Sequence, residues 1–102
     1  MTIKLTLRTI GGEATVDAYE HGDFFAIHRS LLAKSWWTLT HIPTGMRCGP
    51  DRRTKRECRE IGDMLTASGV DWSHEEYEKL TGQDAFLEAA RKISNWPTRG
   101  RA

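Results

Sequence analysis

Between Arg47 and Arg59 the chain carries six cations, Arg47, Arg52, Arg53, Lys55, Arg56 and Arg59, against Asp51 and Glu57. Guanidinium and ammonium groups at this density suit anion recognition, whether of phosphate oxygens or of carboxylates on another protein. Trp36 and Trp37 lie just upstream. An aromatic ring beside cations suits an interface anchor, because it is rigid and gains much from desolvation. It suits equally a platform on which an unpaired base could stack. The residues that define this candidate binding surface are Trp36, Arg47, Arg52, Arg53, Lys55 and Arg56.

Other residue types capable of chemistry are more scattered. The histidines are His21, His28, His41 and His74, and the cysteines are Cys48 and Cys58. Zinc sites draw on short ligand pairs, and no two of these residues stand at such a spacing. His41 and Cys48 could meet across a hairpin, but two ligands do not make a site. No nucleophile elbow is present, and Asp17, Glu20 and Asp23 fall in or beside turns. Gly11-Gly12 precedes an alternating stretch and is not followed by a Lys-Ser/Thr pair, so phosphate-cradling loops are absent. The chain therefore reads as a non-enzyme with no catalytic residues, no metal and no cofactor.

Composition narrows the class further. At 102 residues, with four Trp, three Phe and two Tyr, the chain can bury one modest core. Its formal net charge of +1 provides no overall steering toward nucleic acid or a membrane. The charge is nevertheless segregated. From Glu60 to Glu88 there are eight anions and one cation, Lys79, and from Arg91 to Arg101 there are four cations and no anion. Such blocks suit solvated helix faces that pair with one another, or patches that orient a partner. Two cysteines are few for a disulfide-stapled secreted domain. No apolar run is long enough to span a bilayer, and the alternating start lacks the apolar core of a signal peptide. The expectation is a soluble cytoplasmic protein with reduced thiols and no membrane partner.

The elements that must position the cluster follow from periodicity. Ile3, Leu5 and Leu7 alternate with polar residues, as do Ala14, Val16 and Ala18 beyond the Gly11-Gly12 turn. Phe24–His28, Trp36–Ile42 and Met46–Cys48 read as three further strands, and Gly45 closes the last turn with a positive φ. Leu31 and Leu32 are expected to anchor the loop from Ser30 to Ser35. The period then changes. Thr54 and Glu57 form a capping box, with Asp51 as a rival cap one turn earlier. Cys58, Ile61, Met64 and Leu65 make a buried helical stripe, and Gly69 is its stop. Ser73 to Glu76 reads as a second capping box with a Trp72–Tyr77 staple. Thr81 with Asp84 starts a third helix buried through Phe86, Leu87, Ala90 and Ile93.

Strands first and helices second define an α+β fold, an antiparallel sheet of four to five strands followed by two to three helices packed on one face. Residues 1–97 are expected to form a single domain and 98–102 a flexible basic tail. The inward sheet face is expected to hold Ile3, Leu5, Leu7, Ala14, Val16, Phe25, Ile27, Trp37 and Leu39. The outer face would hold Tyr19, Phe24, His28, Trp36, Thr38 and Thr40. A second copy of the chain is one way to cover so aromatic a face.

The segment from Trp37 to Arg47, followed by Thr54-Lys55-Arg56-Glu57, resembles small uncharacterised proteins of temperate phages and mobile elements. Some proteins of that origin are anti-defence factors, including anti-CRISPR inhibitors that bind an effector and block it. The resemblance implies a non-enzymatic protein that binds and inhibits a host protein or ribonucleoprotein complex. The strand–turn–strand–helix order also looks like the arm-binding domains of phage integrases, which present a sheet to DNA, although the strands before Trp36 depart from that pattern. The alternative reading is a small nucleic-acid-binding module, in which the basic helix start contacts phosphates while Trp36 and Phe24 stack on bases.

Overall fold

The computed structural model describes residues 2–9 and 11–96. The expected basic tail, 98–102, lies outside the described residues. Among the described residues five strands come first: β1 (Thr2–Thr9), β2 (Gly12–His21), β3 (Phe25–Arg29), β4 (Trp37–His41) and β5 (Met46–Arg47). Three helices follow: α1 (Lys55–Thr66), α2 (Tyr77–Thr81) and α3 (Asp84–Ser94). The strands pair only with their chain neighbours, in the order β1-β2-β3-β4-β5, and every pairing is antiparallel. The α+β class is as expected. No described helix is long and apolar enough to cross a membrane.

Each strand alternates as its sequence suggests, but the faces combine differently. Leu5 pairs with Val16 and Leu7 with Ala14, while Tyr19 pairs with Ile27 and Ile27 with Leu39. Directly paired residues share a face. Phe25, Ile27, Trp37 and Leu39 therefore face the helices together with Tyr19. Ile3, Leu5, Leu7, Ala14 and Val16 lie on the opposite face with Ala26, His28, Thr38 and Thr40. This corrects the single inward face expected above. Alternation gives the parity within a strand, whereas the register across each turn decides which parities join, and a one-residue offset exchanges the faces.

The sheet consequently carries two apolar clusters. The larger joins Phe25, Ile27 and Leu39 to Cys58, Ile61 and Leu65 of α1, and to Val70, Trp72, Leu80, Ala89 and Ile93. The smaller joins Leu5, Leu7, Ala18 and Ala26, with Ile3, Val16 and Ile42 against it. No described helix covers this second cluster; the sheet itself closes round it. A Cβ placed on Gly45 would lie 3.8 Å from the carbonyl oxygen of Thr6. In a flat sheet three strand spacings would separate the β4–β5 turn from β1, roughly 14 Å. The sheet is therefore curled, with the smaller cluster on its concave side.

The first helix is built as expected. Thr54 is its N-cap and accepts from the Glu57 backbone N–H at 3.1 Å, and Cys58, Ile61 and Leu65 are buried. Gly45 has φ 71° and Gly69 has φ 87°. The second capping box does not form. Ser73 donates to the Asp71 carboxylate at 2.6 Å, and α2 begins only at Tyr77, with no side-chain cap. Trp72 turns into the core, donating to Leu65 O at 2.8 Å, whereas Tyr77 is exposed, so no staple joins them. Thr81 ends α2 instead of starting α3. Gln83 precedes α3 and clamps Asp71, accepting from its N–H at 2.7 Å and donating to its carbonyl at 2.9 Å. In α3 the core side comprises Ala85, Phe86, Ala89 and Ile93, and Leu87 is exposed.

Candidate functional site

The cations of the expected cluster separate into three environments. Arg52 is internal, with 3% of its surface exposed. Its backbone bridges to Trp37 at 2.6 and 2.7 Å, and its guanidinium donates to Trp96 O at 3.3 Å and Ile93 O at 3.4 Å. These are carbonyls at the C-terminal end of α3, where a cation satisfies free acceptors and complements the helix dipole. Arg52 thus fastens a helix end to the sheet and presents no side chain to a partner. Arg47 lies on the concave side, 3.8 Å from Asp51. Arg53, Lys55 and Arg56 remain together, at the start of α1.

Around Arg53 and Lys55 the structure builds a strip of stacked cations and rings. The Arg53 guanidinium lies over Trp36, 4.9 Å from the ring centroid. Lys55 Nζ lies 4.4 Å from the Tyr19 centroid and 5.1 Å from that of Trp37. Arg29 covers Trp37 at 4.1 Å and donates to Lys34 O at 3.1 Å. Arg56 is 80% exposed and approaches Glu60 at 3.8 Å. Arg29 is the member that the sequence reading missed. It joins through the β3–β4 register, in which it is paired with Trp37. Phe24 packs against the main core instead of standing free beside Trp36.

The concave side holds a second arrangement. A cleft of about 750 Å³ opens there, lined by Leu7, Leu31 and Leu32 and by His28, Thr38, Thr40, Arg47 and Asp51. The Asp51 carboxylate accepts from the Ser30 hydroxyl at 2.5 Å and from the Thr38 hydroxyl at 2.6 Å. It is not a helix cap. Ser30 in turn accepts from the N–H groups of Leu32 and Ala33 at 3.1 and 3.2 Å. This hydroxyl anchors the loop, and Leu31 and Leu32 stand exposed rather than anchoring it. Burial holds the His28 pKa below its ordinary value, against the opposing pull of the Arg29 carbonyl and the Asp51 charge. Its Nδ1 faces the Arg29 carbonyl at 2.8 Å, which can only accept, so Nδ1 carries the proton. Nε2 then accepts from the Thr40 hydroxyl at 2.9 Å. No spacing in the sequence joins Ser30, Thr38 and Asp51; only the folded register brings them together.

Both thiols are buried and pushed up to about 12, chiefly by desolvation. They are protonated at neutral pH and so poor nucleophiles. Among the described residues, no three His, Cys, Asp or Glu side chains gather as a metal-holding set. Compared with protein-family models, with curated proteins and with solved structures, the chain shows no significant match.

Proposed function

We infer that this protein is a non-enzymatic binding protein that docks the strip of Trp36, Arg53, Lys55 and Arg56, extended by Arg29 and Tyr19, on an anionic face of a protein or ribonucleoprotein complex. The observation that carries this reading is the stacking of Arg53 on Trp36 and of Arg29 and Lys55 on Trp37. A guanidinium held over a ring loses fewer rotamers on binding than a free arginine. Pre-organised cations beside half-buried aromatics are therefore economical anion contacts. The resemblance to small phage and mobile-element proteins gives the binding its purpose, inhibition of a host complex of the anti-defence kind.

The test is capture from host lysate, with and without nuclease, by the wild type and by the Arg53→Glu/Arg56→Glu variant. Both residues are exposed, so the variant should keep the wild-type thermal transition. The expected result is a partner that wild type retains after nuclease treatment and that the variant loses. Equal retention by the folded variant would sink the reading. Capture that disappears with nuclease would favour direct nucleic-acid contact instead, with an affinity falling steeply as salt rises.

A further inference from the structure

We propose that the concave cleft is a binding site for a cationic head group carried on an apolar body, such as an alkylguanidinium or alkylammonium group. The direction of its hydrogen bonds supports this assignment. The protons of Ser30 and Thr38 are both given to Asp51, that of Thr40 to His28, and the ring proton of His28 to the Arg29 carbonyl. What remains toward the cleft is lone pairs: the oxygens of Thr38 and Thr40, and the unused positions of a carboxylate that can accept about four bonds. Such a wall seeks donors. Asp51 is largely enclosed, and Arg47, which also lines the cleft, is ion-paired with it at 3.8 Å without a close hydrogen bond.

The leucines supply the body's contacts. Leu7, Leu31 and Leu32 line the cleft, and Leu31 and Leu32 are exposed beside one another. At about 750 Å³ the cleft falls within the range of ordinary ligand sites and exceeds what one head group fills. The head meets Asp51, Thr38 and Thr40, and the body lies along the leucines. Arg47, ion-paired with Asp51, is a competitor that the ligand displaces. This site lies apart from the docking strip, so failure here leaves that reading standing.

The test is an NMR titration of the whole protein with three probes: hexylguanidinium, hexanoate, and a blocked Leu-Arg-Leu peptide. Hexylguanidinium should give saturable shifts at the amides of Ser30, Thr38 and Arg47, at up to about millimolar concentration. Hexanoate should give none. Asp51→Asn should weaken binding roughly tenfold, and Arg47→Ala should strengthen it roughly threefold, opposite signs that only a cationic ligand produces. Arg47 is half exposed, so its variant carries the test alone if Asp51→Asn fails to fold. Tighter binding of the peptide than of hexylguanidinium identifies a chain segment as the source; the reverse identifies a free small molecule. Preference for hexanoate, weaker binding in Arg47→Ala, or the absence of saturable shifts would overturn the proposal.

Discussion

His28 and His41 are buried, neutral and fixed in one tautomer each, and this makes the fold sensitive to acid. His41 donates from Nε2 to Trp72 O at 2.6 Å and accepts at Nδ1 from the Thr44 hydroxyl at 2.8 Å. Burial lowers the pKa of both rings from 6.5. A ring depressed in the fold binds its proton later than in the unfolded chain, so acid favours unfolding. Stability is fully present above about pH 6.5, declines as the pH falls from there through the folded values, and levels off below them. The slope should reach up to about 1.4 kcal/mol per pH unit for each ring, read from urea midpoints between neutral and mildly acidic buffers. His41→Gln should have a shallower slope. A wild-type midpoint independent of pH in that window would contradict the assignment. Gly49 is a second point of dependence. Its φ is 84°, and a Cβ there would meet Ile93 Cγ2 at 2.3 Å. Backbone strain and collision with α3 together should make Gly49→Ala less stable by about 2–4 kcal/mol in chemical denaturation.

At the scale of elements, α1 depends on its cap and α3 on Arg52. Thr54→Ala removes the oxygen that accepts the Glu57 N–H and should cost about 1 kcal/mol. Arg52→Met keeps much of the side-chain volume but frees the carbonyls of Ile93 and Trp96. It should cost about 1.5–3 kcal/mol and speed amide exchange selectively at the last turn of α3. Unchanged exchange there would mean that the guanidinium does not hold the helix end. The capping box at Thr54 was legible because its two partners are three residues apart in one helix. Ser73 and Glu76 have the same spacing, yet Asp71 stands two residues before Ser73 and takes the backbone N–H that Glu76 would accept, so a nearer acceptor won. Arg52 could not be told from Arg53 by type or neighbourhood. What separates them is the bridge to Trp37, a contact made in the folded sheet. The same holds for Asp51, whose partners Ser30 and Thr38 come from two earlier segments. Strand existence was readable from alternation, whereas the concave cleft needed the register.

For the whole molecule, the division into two clusters predicts unequal stability. The β1–β2 hairpin is held by its pairing with β3 and by the smaller cluster, while β3, β4 and α1 share the larger one. Native-state hydrogen exchange should find β1 opening at lower free energy than β3, β4 and α1. Leu5→Ala should widen that gap, lowering β1 protection by about 2–4 kcal/mol with little change in α1. A uniform loss across both sets would show a single cooperative unit.

The neighbour-only pairing of the five strands also has a kinetic consequence. Each ladder closes a short loop, so the sheet asks little of chain diffusion compared with β-folds of distant pairing. During synthesis all five strands precede the first helical residue, Lys55. The sheet can therefore assemble with Phe25, Ile27 and Leu39 still bare, and α1 is the first element that can cover them, before Trp72 and α3 complete the core. A nascent chain stalled before α1 would present this apolar face to chaperones and to other copies of itself.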